Sequence, residues 1–363
     1  LETLKEIRLH ITNSTDDWKD WDHFLAKSKR GIYLQLSDWL KSYRAYGFEE
    51  HLILSKDPSG EIQGGMGLVL AKAGPLKILV APYGPILDQG KEDLFPAFVS
   101  EFHAFAKRSG AFLAQLSAPI ATPSDFKDHF LPSLLGYPIA PTGKGLLFKY
   151  VTGLSAFRAV KLFAGEEDAY EKVRSNYKAN TRRDVNKSNR MGNELVFAKS
   201  SEEIQKAYDL IELNAENQGY AVRSWDDFGP TLISLVNSGH CMIPCCQNEG
   251  SLKGALIIFE AGQKLHYIMG ATLREKKDLL VGHFLQDQVI QLAISKGYDF
   301  YDISMGGSPG VVRFKEGFGG EVLPLPEPQY WVLKPAQFFA YQKLLPWVQK
   351  NKTLVSKIVK KFK

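Results

Sequence analysis

A chain of 363 residues, 44% hydrophobic and 23% charged, is globular and long enough for two cores, and no apolar run reaches the roughly 20 residues that cross a bilayer. The formal charge of +5 permits a polyanionic partner without demanding one, because the positives gather at 172–190 and 350–363. Three cysteines, Cys241, Cys245 and Cys246, share one short apolar segment, which is no disulfide framework and lacks the second pair a zinc site needs, so they read as buried strand residues.

Leu1 to Asp20 shows neither a basic start nor an apolar stretch, so no secretory signal is visible and a cytoplasmic protein is expected. Helices are predicted at Asp16 to Ser28 and Ser37 to Tyr46, then strands at His51 to Ser55 and Gly65 to Ala71 on either side of a turn at Asp57-Pro58-Ser59-Gly60. Lys77 to Ala81 reads as a strand, Glu92 to Ser109 as a helix, Phe112 to Leu116 as a strand and Ser124 to Leu135 as a helix. Tyr150 to Leu154 opens a second unit. It continues with helices around Ala164 to Met191, a strand at Leu195 to Ala198, and helices at Ser201 to Asn217 and Trp225 to Ser238. A hairpin follows from Cys241 to Cys246 and Lys253 to Glu260, then a strand at His266 to Gly270, a helix at Gly282 to Lys296 and a strand at Phe300 to Ile303. Both halves run helix, helix, hairpin, strand, helix, strand. The economical account is an α+β chain of two acyltransferase-like lobes, 1–150 and 151–330.

The segment richest in chemistry follows the last strand. Tyr301-Asp302 leads into Gly306-Gly307, whose glycines allow positive φ or close approach of backbone to a ligand. Arg313-Phe314-Lys315 and Phe318-Gly319 come next, and a lysine between aromatics is partly desolvated and suited to an anion or a developing oxyanion. These motifs resemble the C-terminal signature of the Fem family, bacterial nonribosomal peptidyltransferases. Gln35-Leu36-Ser37-Asp38-Trp39, Gly84-Pro85-Ile86-Leu87 and Thr181-Arg182-Arg183-Asp184-Val185-Asn186-Lys187 resemble three further motifs in the family's order, and the likeness spans nearly the whole chain.

The resemblance implies two tandem GNAT-like lobes, acyl-CoA N-acyltransferase-like in fold, with mixed sheets flanked by helices and a C-terminal helix, Pro335 to Lys350 within 331–363, packed on the first lobe. It implies transfer of an amino acid from aminoacyl-tRNA, a co-substrate, to an amine of a UDP-linked or lipid-linked muramyl peptide, with no cofactor or metal. Lys315 falls on the family's functional lysine, and Arg223 on an arginine that reaches the precursor's phosphates. Arg223 could equally pair with Asp226 or Asp227. Asp302 could orient an amine or accept its proton, or simply cap the next turn. Arg313, Phe314 and Tyr267 complete the expected substrate contacts.

Lys172, Arg174, Lys178, Arg182, Arg183, Lys187 and Arg190 recur at helical steps, a stripe for a tRNA acceptor end or a lipid-linked diphosphate, or a solvated face. Tyr83 and Tyr220 are expected in loops facing the cleft. Two positions depart from the family. Tyr43 stands where many relatives have a precursor-binding lysine, with Arg44 as the substitute, and Met269 replaces a second tyrosine beside Tyr267. Leu354 to Lys363 alternates apolar and basic residues and suits an anionic membrane surface or a docked helix with a soluble end. The competing function is acyl-CoA-dependent N-acylation. Against it stands the charged, glycine-poor Thr272 to Asp278, where a CoA pyrophosphate would need a glycine-rich helix start.

Overall fold

The structure is a computed structural model that describes residues 9–73, 75–117, 151, 154, 156–273, 275, 278–325 and 328–350. The helix expected at Ser124 to Leu135, most of the segment Tyr150 to Leu154 expected to open the second unit and the basic tail from Leu354 lie outside these residues.

The first lobe runs β1 (Leu9–Thr12), α1 (Thr15–Lys27), α2 (Ser37–Lys41), β2 (Glu49–Lys56), β3 (Ile62–Ala73), β4 (Leu76–Ala81), β5 (Ile86–Leu87), α3 (Phe95–Arg108) and β6 (Leu113–Leu116). A 3-10 turn, Ser42–Tyr46, extends α2. The β2–β3 turn forms as its sequence dictates, with the Asp57 carboxylate accepting from the backbone N–H groups of Ser59 (2.9 Å) and Glu61 (3.0 Å).

The second lobe runs β7 (Ala156–Lys161), α4 (Ala169–Ser175), α5 (Ala179–Ser188), β8 (Glu194–Phe197), α6 (Ser201–Gln218), α7 (Trp225–Asn237), β9 (Cys241–Met242), β10 (Pro244–Asn248), β11 (Ser251–Ala261), β12 (Lys264–Thr272), α8 (Val281–Ser295), β13 (Phe300–Asp302), α9 (Pro309–Glu316) and β14 (Glu321–Pro324). A capping box between Ser200 and Glu203 starts α6, and Gly219 in the left-handed region ends it. The chain then returns: β15 (Gln329–Val332) pairs antiparallel with β6, and α10 (Pro335–Lys350) packs Tyr341 against Phe112.

Two sheets result, ordered β1-β2-β3-β4-β6-β15 with β5 on β3, and β14-β7-β13-β12-β11-β10-β8 with β9 on β11. In each, an edge strand and two helices precede three antiparallel strands, and a helix crosses over to one parallel strand, β4 to β6 through α3 and β12 to β13 through α8. The β12–β13 ladder has two rungs, Leu265 with Tyr301 and His266 with Asp302, so β12 runs on from Tyr267 to Thr272 beyond its parallel neighbour. That opening is where the site forms.

One apolar cluster spans both lobes. Tyr33 packs on Phe259 and His266, and Trp39 on Phe228 and Phe259. The contact is close enough that a Cβ on Gly262 (φ +62°) would collide with the Gly31 carbonyl. The buried Lys264 ammonium crosses the same seam to donate to the carbonyls of Lys29 and Gly31. The three cysteines are buried and free on β9 and β10, and burial pushes the Cys245 and Cys246 thiols up to about 11.

Candidate active site

Lys315 is desolvated, as its place between two phenylalanines predicts. It lies on α9 and is 3% exposed. Its ammonium donates to Ser304 Oγ (2.6 Å) and the Gly306 carbonyl (2.7 Å) and lies 4.9 Å from the centre of the Tyr267 ring. A lysine has three N–H donors, so one remains for a ligand. Desolvation is the main cause that lowers its pKa to about 8, with the Asp302 carboxylate opposing and Arg158 reinforcing.

Asp302 builds the turn that holds Lys315. Its Oδ1 accepts from the backbone N–H of Arg158 (3.1 Å) and of Ser304 (2.9 Å), and Oδ2 lies 3.4 Å from His266 Nδ1. Of the two roles open to it in sequence, turn capping is the one its hydrogen bonds perform. Ser304, held at φ +64°, presents its hydroxyl to the lysine. Burial lowers the His266 pKa, and its Nε2 has no partner among the described residues.

A cavity of about 300 Å³ opens beside this cluster, between β12 and the start of α8. Tyr267, Gly282, His283, Gln286 and Phe314 line its wall, with Glu275 and Asp278 also in the lining. Phe314 meets the His283 ring edge-on at 4.9 Å. Asp278 already accepts from the Leu280 backbone N–H (2.9 Å), and Glu275 pairs with Lys253 (2.6 Å). Asp278 thus places a carboxylate beside the start of α8, while the first amides of the helix carry no side-chain cap.

Other expected contacts are spent elsewhere. Tyr83 does not face a cleft: it is fully buried and donates to the Leu154 carbonyl at 2.6 Å. Arg44 is tied to the Glu50 carboxylate, which is itself buried. Arg223 pairs with neither Asp226 nor Asp227. Its fork donates to Ser42 Oγ (2.9 Å) and the Ser42 carbonyl (2.6 Å), with its plane over Phe228, Tyr46 and Tyr43. We expect Arg223→Ala to cost about 2–3 kcal/mol of stability in urea unfolding, from a charge-assisted hydrogen bond and stacked rings. It should leave the salt dependence of turnover at its wild-type slope, whereas a lost phosphate contact would reduce that slope by about one.

Tyr220 is 48% exposed and lies outside the cavity lining, accepting from the cavity residue Asn214 at 2.9 Å. Arg313 is exposed on α9 without a partner among the described residues. The basic stripe breaks into two short helices. Lys178 lies 3.7 Å from Glu316, Arg182 donates to the carbonyls of Ser175 and Tyr177, and Arg183 pairs with Asp184, while Lys187 is exposed without a partner among the described residues. α5 is pressed onto the end of α9, where a Cβ on Gly317 would strike Thr181.

Two of the sequence motifs prove to be one contact. The buried Gln35 side chain donates to the carbonyls of Gly67 (3.2 Å) and Pro82 (2.6 Å) and accepts from Gly67 N–H (2.7 Å), and a Cβ on Gly84 would sit 3.3 Å from its nitrogen. Sequence reasoning missed Arg158, Ser304, His266 and Gln286. Gln286 alone left a signal, a polar residue on the same helical face as Gly282 and Ile290.

A profile of the acetyltransferase (GNAT) domain matches residues 175–316. The fold and this match define a transferase of two acetyltransferase-like lobes. Within that class the chain is similar to Fem-type enzymes. It is 22% identical to the lipid II:glycine glycyltransferase of Staphylococcus aureus (strain bovine RF122 / ET3-1), across 81% of this chain and 83% of that one. The crystal structure of FemX superposes with a TM-score of 0.74 at 15% identity, covering 93% of this chain and all of that one. The C-terminal domain of a putative lysylphosphatidylglycerol synthetase from Agrobacterium fabrum shares the fold at a TM-score of 0.52 and 13% identity, over 91% and 96% of the two chains. Among the described residues no helix is long and apolar enough to cross a membrane.

Proposed function

We propose that the chain transfers an aminoacyl group from aminoacyl-tRNA to an amine of a lipid-linked or UDP-linked muramyl peptide. The observation that carries this reading is the Lys315 ammonium, buried, fixed by Ser304 and Gly306 and left with one N–H to give. The amine nitrogen attacks the ester carbonyl, a C–N bond forms, and the carbonyl oxygen becomes an oxyanion that the free Lys315 N–H stabilises. Collapse breaks the ester C–O bond. The nitrogen gives up one proton and the departing ribose hydroxyl gains one, so the reaction needs no oxidant or added group. An ester is already activated, and the protein supplies orientation and electrostatics.

The exposed cations Lys178, Arg183 and Lys187 are the proposed tRNA contacts, and the charged, glycine-poor approach to α8, which carries Asp278, weighs against a CoA donor. The deciding experiment offers the purified protein labelled aminoacyl-tRNA pools and a muramyl-pentapeptide precursor, with acetyl-CoA in parallel. Label passing from tRNA into the precursor is expected; acetylation alone would overturn the reading.

A further inference from the structure

We propose that Gln286 is a donor-binding residue, its side-chain amide N–H groups holding an oxygen of the aminoacyl ester seated in the cavity at the start of α8. The inference rests on the function proposed above and adds a contact to it.

Gln286 is 1% exposed and lines that cavity. Its Oε1 accepts from the Tyr301 hydroxyl at 2.6 Å, and Tyr301 is fully buried on β13. With Oε1 engaged there, Nε2 is the end of the amide left open. The Nε2 group has no partner among the described residues, so two N–H donors are what Gln286 offers to the cavity. Around them the wall is mixed, with Leu256, Leu279, Val281 and Phe314 beside Asn214, Lys253 and His283.

Nε2 is open to the cavity, and a ligand that displaces water there must accept from it or leave it unsatisfied, at a cost of about 1–3 kcal/mol. The chemistry of the ligand follows. It brings an oxygen acceptor to Gln286, and a group compatible with Asp278 and with Glu275, whose carboxylate is paired with Lys253 of the same lining. An aminoacyl ester has both, a carbonyl and a free α-ammonium. At about 300 Å³ the cavity is at the small end of pockets that hold organic ligands, enough for the aminoacyl end of a larger molecule. Gly282 keeps it open: one helical turn before Gln286, its missing Cβ would lie 3.3 Å from the Phe314 ring.

The test measures calorimetric affinity for a non-hydrolysable 3′-aminoacylamino-3′-deoxyadenosine, which needs no turnover. Gln286→Glu keeps the acceptor for Tyr301 and removes both donors, and should weaken binding about tenfold or more, the worth of one good buried hydrogen bond. Gly282→Ala, which favours the helix, narrows the cavity and should also weaken binding. Tyr301→Phe frees the amide to rotate and should have a smaller effect than Gln286→Glu. Affinity unchanged or raised in Gln286→Glu, or no binding to the wild type, overturns the proposal. Should Gln286→Glu fail to fold, wild-type affinity in Gly282→Ala overturns it instead. Transfer by the wild type, assayed separately, reports on the function, so the two can fail independently.

Discussion

Lys315→Ala is expected to lower the rate of transfer by about 10²–10³-fold, the usual cost of removing one preorganised donor to a developing oxyanion. KM for either substrate should change little, because the lost interaction strengthens only as charge develops. The group's lowered pKa adds a second signature. Protonated lysine is lost as pH rises through about 8, so kcat/KM in the wild type should fall above that point, and Lys315→Arg should move the fall to higher pH. Stability runs the other way. Between about 8 and the ordinary value of 10.5 the unfolded chain holds this proton and the folded chain does not, so folding becomes more favourable as pH rises through that window. Urea unfolding at pH 7.5 and 9.5 should show that gain in the wild type and not in Lys315→Met. A flat pH profile together with near-wild-type turnover in Lys315→Ala would remove the lysine from the chemistry.

Asp302→Ala should be the more damaging change to the fold. It strands the backbone N–H groups of Arg158 and Ser304 in a buried site and leaves His266 without its carboxylate, for about 3–5 kcal/mol. Asp302→Asn retains one oxygen for those two donors and should recover most of the stability. Because Asp302 acts through the turn that carries Ser304, both variants should lose kcat in step with how far Lys315 is freed. Donor affinity should hold. Comparing the unfolding midpoints of the two variants with their kcat values separates a positioning residue from a proton acceptor, for which asparagine would be as inactive as alanine.

Much of the architecture was legible because its helices and exposed strands obey simple periods. α6 announces itself with Ser200 and Glu203, and the hairpin turn with Asp57 and Gly60. β7 was not legible, since Ala156 to Val160 are buried on both faces and show no alternation. α9 was missed for another reason: it opens Ser308-Pro309-Gly310 and is held by what its lysine reaches, not by propensity. The same division holds at the site. Lys315 could be chosen from its motif, whereas the contact between Arg158 and Asp302 joins residues 144 positions apart. The structural partner of Arg223 was not legible, because the neighbouring aspartates were the visible candidates and the partner found, Ser42, lies 181 positions away. Pairwise chemistry at that range is set by topology, and motif reading recovers only the residues that one strand or helix presents together.

The return of the chain through β15 sets the order in which the molecule can mature. On the ribosome, the first lobe emerges with β6 as a bare edge, its N–H and C=O groups unpaired, and must wait through the synthesis of the whole second lobe before Gln329 to Val332 arrive to cover it. Nascent chains halted within the second lobe therefore carry a sticky edge on a nearly complete sheet. Such fragments are candidates for chaperone capture or edge-to-edge association, and neither lobe is a self-sufficient module that recombination could move alone.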